Sequence, residues 1–327
     1  MEQRKQIDPL LIELADISKP LFGLQIESWQ PIARGWLNLK WKITTEQGEF
    51  VLKKYHSNRF KNVEVLTRAL QQQQRLHEAG IPCPKLMADK GRLLHASSAN
   101  EHFIIMDYST GEIVKPGHFN RQQMVDLGCV TGKIHRVLND GTLGMESEPQ
   151  FVPPERKERI LHWQNALVEA QHSNNRQIAA NIELQMNVTE TLDLDAFSEC
   201  KTGWAHRDLW VDNLLFHKDR VSAVLDFDRL HFEYPEIDVA RAILSCVLHH
   251  GHFHQELASA FLEGYRTEAD FPSGSLVRAL RLLWYLESIW WISANMEKHN
   301  AVQTRFAEEM LWLAHNNEQL PLILGDI

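Results

Sequence analysis

Between Trp204 and Phe216 the chain reads WAHRDLWVDNLLF, with one Arg, one Asn, one His and two Asp set among apolar residues. Asp208 and Asn213 lie five residues apart, flanked by Leu209, Trp210, Leu214 and Leu215. A loop anchored in this way holds a carboxylate and a carboxamide close enough to share one task. The carboxylate can face a hydroxyl that must lose its proton, and the amide oxygen can hold a divalent metal. Thirteen residues past Asn213, AVLDFDR puts Asp226 at the end of an apolar run, where it suits a second metal ligand. Mg²⁺ takes hard oxygen ligands and is usually shared with substrate phosphates. Either motif alone also fits a polar turn capped by Asp and Asn. Both together, in this order, favour chemistry.

The elements that must position these residues divide the chain. The first third reads mostly as strands: LQIESWQPIARG, LNLKWKITT, EFVLKKY and EHFIIMDYSTGE carry apolar and β-branched runs broken by turns. One helical pattern, RFKNVEVLTRALQQQQRLHEAG, stops at Gly80. From about residue 108 onward the spacing is largely helical, with helices expected at about 119–138, 155–173, 236–250, 252–268, 275–297 and 302–316. The expected organisation is a β-rich unit over 1–107 and a helical unit over 108–327, an α+β, bilobal arrangement.

His206-Arg207-Asp208 with Asn213 matches the H-R-D-x-x-x-x-N pattern of kinase catalytic loops, and Asp226-Phe227 matches the start of their metal motif. The longer text, AHRDLWVDNLLF followed by AVLDFDRLHFEYPEIDVARAI, resembles the aminoglycoside/choline phosphotransferase family, including homoserine-kinase-like and spore-coat-kinase-like bacterial members. The resemblance runs from about 30 to 250. It implies a protein-kinase-like fold with a nucleotide-binding N-terminal lobe and a catalytic, substrate-binding helical lobe. It implies ATP and Mg²⁺ as cofactors and a small-molecule hydroxyl as acceptor, such as homoserine, choline or an aminoglycoside-like compound.

Carried onto this chain, the resemblance makes Asp208 the catalytic residue and Asn213 and Asp226 the metal ligands. ARGWLNLKWKITT resembles the family's first hairpin, which would place Gly35 and Asn38 over the nucleotide phosphates. FVLKKY resembles the strand with the phosphate-binding lysine. Strand alternation puts Lys53 on one face with Val51 and turns Lys54 to the other, so Lys53 is the expected residue. In kinases that lysine pairs with a glutamate on the next helix, and Glu64 is the only acidic residue early on that helix. IIMDYSTGE resembles the hinge, where Met106, Asp107 and Tyr108 would meet adenine through their backbone. His135 is expected to pack and hydrogen-bond, and Asp238 to brace the catalytic loop. Arg207 stands where most family members have Gly and is expected to be structural. Asp228 fits a second metal, a cationic substrate or plain surface.

The composition limits the alternatives. With 34 Lys+Arg against 43 Asp+Glu, the net charge of −9 disfavours general nucleic-acid binding. Residues 1–107 carry 15 basic and 12 acidic side chains, and the remainder 19 and 31, which suits an anion at one half and an amine at the other. Trp284, Glu287 and Trp291 share a helix face that could cradle an ammonium group, although such a stripe is usually core. The four cysteines are far apart, and no apolar run suits a membrane span, so a cytoplasmic enzyme is expected. A Ser/Thr protein kinase is the first alternative, but Asp238 follows Asp226 by only twelve positions. The other is an inactive kinase-fold binding protein, against which the presence of Asp208, Asn213 and Asp226 counts.

Overall fold

The computed structural model describes residues 9–33, 38–56, 60, 62–144, 148–172, 175–325 and 327. The chain forms two compact units, Met1–Gly111 with Ser222–Arg229, and Glu112–Val221 with Leu230–Ile327. The eight-residue stretch containing Asp226 and Asp228 thus belongs to the N-terminal unit, although it lies deep in the helical half of the sequence.

The N-terminal unit contains helix α1 (Pro9–Phe22), strands β1 (Ile26–Pro31), β2 (Leu39–Thr45) and β3 (Gly48–Lys54), helix α2 (Val63–Glu78) and strands β4 (His95–Ala96) and β5 (His102–Asp107). The strands form one antiparallel sheet in the order β1-β2-β3-β5-β4. A two-residue turn at Glu46-Gln47 fixes the β2–β3 register, pairing Thr45 with Gly48 and, further along, Lys40 with Lys53. Trp41, Ile43, Leu52, Phe103 and Ile105 point to one face and pack with Leu11 and Leu14 of α1. On the other, Tyr55, Leu66, Leu70 and Ile104 form a second cluster that includes α2. Each fully buried leucine contributes roughly 1.5–3 kcal/mol. Helix α2 starts at Asn62, whose side chain accepts from the N–H groups of Glu64 and Val65. Gly80, at φ 80°, stands two residues past its end. The strand-dominated expectation for this unit omitted α1.

The second unit contains α3 (Arg121–Leu138), α4 (Arg156–His172), α5 (Arg176–Thr191), β6 (Gly203–Ala205) and β7 (Leu214–His217). Strand β8 (Arg220–Val224) leads out of it, and the chain returns through β9 (His231–Glu233). Then come α6 (Pro235–Val247), β10 (Leu248–His249), β11 (His252–Phe253), α7 (Gln255–Tyr265), α8 (Ser275–Trp291), α9 (Ala301–His315) and α10 (Leu320–Leu324). Helix α6 is central, with every residue from Ile237 to Val247 buried. Helices α3 and α7 touch backbone to backbone. A Cβ at Gly128 would come within 1.9 Å of Phe261 O, and one at Gly264 within 2.0 Å of Val125 O. Only glycine fits at that crossing. Among the described residues no helix is long and apolar enough to cross a membrane.

Candidate active site

In the N-terminal unit the two aspartates of DFD meet the first hairpin. Lys53 is 1% exposed and forms ion pairs with Asp226 and, at 2.5 Å, with Asp228. Lys40, its cross-strand neighbour, holds the other oxygen of Asp226 at 3.1 Å. Asp228 also accepts from Tyr55 OH at 3.0 Å and Asn38 Nδ2 at 3.2 Å, while Asn38 Oδ1 accepts from the His56 N–H at 3.1 Å. Burial works to lower the Lys53 pKa, but Asp226 and Asp228 carry it up to about 12. Burial would likewise raise the Asp226 carboxyl. The ammonium groups of Lys53 and then Lys40 outweigh it and hold that carboxyl below the usual carboxylate range. Burial, reinforced by Asp228, pushes the Tyr55 hydroxyl well up, so it stays a neutral donor. Lys53 and Asp226 are thus both charged around neutral pH.

The sequence pattern anticipated part of this cluster. Lys53, Asn38 and Asp226 come together. Lys54 faces the other way and pairs with Glu101 at 2.8 Å. Glu64 is exposed in the first turn of α2, and the described partners of Lys53 are the two aspartates instead. Gly35 lies outside the described residues. Met106 and Asp107 end β5, and Tyr108 follows. The Asp107 N–H is taken by Lys85 O at 2.9 Å and the Tyr108 N–H by Glu49 O at 3.2 Å. Lys40 and Tyr55 escaped the sequence reading. The hairpin arithmetic that pairs residue 40 with residue 53 was available to find the first of them.

In the helical unit the loop after β6 is held by its backbone. Both oxygens of Asp238, in the first turn of α6, accept main-chain bonds, from His206 N at 2.6 Å and Arg207 N at 2.8 Å. His135 Nε2 lies 3.1 Å from Asp238 Oδ2, and His135 Nδ1 lies 2.8 Å from Tyr265 OH. One tautomer satisfies both contacts: Nε2 donates to the carboxylate, and Nδ1 accepts from the phenol. Burial opposes the charge on Asp238, but His135 and the loop donors outweigh it and keep its pKa low. The α3–α7 glycine contact brings His135 and Tyr265 into reach. On the loop, Asn213 Nδ2 donates to Asp208 O at 2.8 Å and to Asp208 Oδ2 at 3.0 Å, which turns the Asn213 carbonyl oxygen away from that carboxylate. Arg207 and Asp226 both have φ 66°, a left-handed conformation that costs a non-glycine residue roughly 1–2 kcal/mol.

Arg207 is anchored beside the loop. It donates to Gln150, lies 4.7 Å above the Phe151 ring and comes within 3.5 Å of Glu233. Glu233 is 2% exposed, and burial, only partly offset by Arg207, raises its pKa to about 7. Behind the loop, Arg241 is buried between Glu287 and Glu309. The tryptophan stripe is largely packing. Trp284 is fully buried and donates to Gln185 Oε1 at 2.7 Å, and Trp291 stacks on Phe306 at 4.7 Å. Glu287 of that stripe already neutralises Arg241.

Comparison with known proteins places the chain in a family. The sequence profile described as Phosphotransferase enzyme family matches residues 28–276. A homoserine kinase of Bartonella henselae is 24% identical over 240 residues, covering 73% of this chain and 71% of that protein. An aminoglycoside phosphotransferase of Alicyclobacillus acidocaldarius has a solved structure that superposes with a TM-score of 0.62 at 14% identity, covering 99% of this chain and 96% of that one. A spectinomycin phosphotransferase solved with ADP and spectinomycin gives 0.61 at 15% identity, covering 97% and 100%. The chain therefore belongs to the phosphotransferase enzyme family, a small-molecule kinase with the protein-kinase-like fold.

Proposed function

We propose that the enzyme transfers the γ-phosphoryl group of ATP to a hydroxyl of a small, amine-bearing molecule, with homoserine the first acceptor to test. The observation that carries this reading is the locked Asp208–Asn213 pair, in which a carboxylate and an amide oxygen are presented by a loop braced at its backbone. Asp208 accepts a hydrogen bond from the acceptor hydroxyl, aims it, and takes its proton as the new bond to phosphorus forms. Lys53 places a buried positive charge for the phosphates. Asn38 steadies the start of the hairpin beside them, and Gly35 is proposed to lie over them.

The residues present fit Mg²⁺. Asp226 is an ionised oxygen donor, and Asn213 has a carbonyl oxygen free of its Asp208 contact. Each is proposed as a ligand to the metal, which would supply charge neutralisation at the nucleotide phosphates. Along Met106–Tyr108, the Asp107 and Tyr108 N–H groups are engaged, so adenine recognition there rests on backbone carbonyls, which have a second lone pair.

The acceptor class is supported by the homoserine kinase relative and by the acidic excess of residues 108–327. The test is Mg²⁺-dependent ATP consumption against homoserine, choline, amino alcohols, sugars and aminoglycosides. Turnover with one of the amines is the expected result. Turnover only with a protein substrate, or with none of the panel, would overturn the reading.

A further inference from the structure

Lys40 and Lys53 are directly opposed on neighbouring strands. Like charges in that position repel, so the pair is tolerable only with an anion between them. In the structure that anion is Asp226, one oxygen to each lysine. The two lysines differ in what else they hold. Lys53 has a second carboxylate, Asp228, which is itself fixed by Tyr55 and Asn38. Among the described residues Asp226 is the one ion-pair partner of Lys40. Its neighbour Trp41 points into the α1 core, so alternation turns Lys40 to the face that carries Lys53.

We infer that Lys40 is a second phosphate-binding residue, which shares the nucleotide's phosphates with Lys53 while Asp228 keeps Lys53 in place. The inference rests on the proposed nucleotide-dependent reading of the site. If Asp226 serves as a metal ligand, it can no longer satisfy two ammonium groups. Lys53 then still has Asp228, whereas Lys40 needs a new anion. A polyphosphate carried to the same face supplies it. A lysine acts on phosphate as a point charge rather than a planar fork, so it can move from a carboxylate to a phosphate oxygen without rebuilding the strand.

The experiment measures ADP and adenosine binding by calorimetry, with Mg²⁺ present, for the wild type, Lys40→Met, Lys40→Gln and Lys40→Arg. Phosphate recognition predicts that Lys40→Met and Lys40→Gln lose about tenfold in ADP affinity, equivalent to 1.4 kcal/mol. Adenosine affinity should stay at the wild-type value, and Lys40→Arg should restore most of the loss. Equal losses for ADP and adenosine, or no loss for either, would overturn the inference and leave Lys40 as a structural counter-ion. If Lys40→Met does not fold, Lys40→Gln, which keeps part of the stem and a neutral donor, decides the case. Wild-type enzyme that binds neither ADP nor ATP would instead overturn the nucleotide-dependent reading, a separate failure visible before any variant is made.

Discussion

The two units organise their functional residues by opposite means. In the N-terminal unit the side chains hold one another: two lysines and two aspartates, with Tyr55 and Asn38, form a cluster of charges. In the helical unit a buried aspartate holds main-chain N–H groups, and Asp208, the proposed catalytic residue, is positioned as a consequence. The difference is one of reversibility. Ammonium–carboxylate pairs can be exchanged for ammonium–phosphate pairs when a charged ligand arrives. A backbone clamp with every donor matched has nothing to exchange and stays as it is. In the proposed reading, one region can be rearranged by its ligand, and the other is built beforehand.

That contrast can be broken in graded ways. The largest effect belongs to Asp208→Asn. Turnover should fall by roughly a hundred- to ten-thousand-fold, the range of a lost acid–base group, while ATP affinity holds. Steady-state kinetics with parallel nucleotide titration would show it, and an equal loss in both quantities would make Asp208 part of the binding cluster instead. Next comes Asp238→Ala, which strips the acceptor from two loop N–H groups. Each buried unpaired group costs about 1–3 kcal/mol, so chemical denaturation should show a loss of about 3 kcal/mol. Turnover should fall with it. An unchanged unfolding midpoint would mean that the clamp is not what holds the loop.

The smallest effect sharpens the comparison by pH. Glu233 in the folded chain has a pKa of about 7, against 4.5 for an ordinary glutamate. A raised carboxyl pKa means that the folded state binds the proton more tightly. The associated stability is fully present below about pH 4.5 and is lost as pH rises through 7. Glu233→Gln cannot ionise, so its melting temperature should decline less than that of the wild type between pH 5 and 8. Parallel decline of the two proteins would show that Glu233 does not titrate in that window.

The legibility of the molecule varied with the kind of signal each residue leaves. The loop from His206 to Asn213 and the aspartate at 226 were readable because chemistry demands particular residue types at particular spacings. Lys53 was readable from the resemblance of FVLKKY to a phosphate-binding strand, with alternation to separate it from Lys54. The partner of Lys53 was not, because an aspartate at 228 can serve several ends and only packing selects one. Helix α5 left a faint trace for another reason. Its buried positions are Ile178, Ile182, Gln185 and Thr189, so half of its inward stripe is polar and the apolar period is hard to see. In α1 the buried stripe includes Ser18, whose hydroxyl donates to Leu14 O, and Pro20 lies within the helix, which blurs the pattern again.

The N-terminal unit is completed by residues 222–229, and this sets a timetable for its birth. During synthesis the residues of its five-stranded sheet emerge first, Lys40 and Lys53 among them. Their aspartates are made only after the roughly 110 residues that follow Gly111, which at 5–20 residues per second is a wait of about 5–20 seconds. For that interval the two lysines lack the carboxylates that pair with them in the finished protein. The N-terminal unit can begin to fold on the ribosome, but it cannot close around Lys53 until the helical unit is half written.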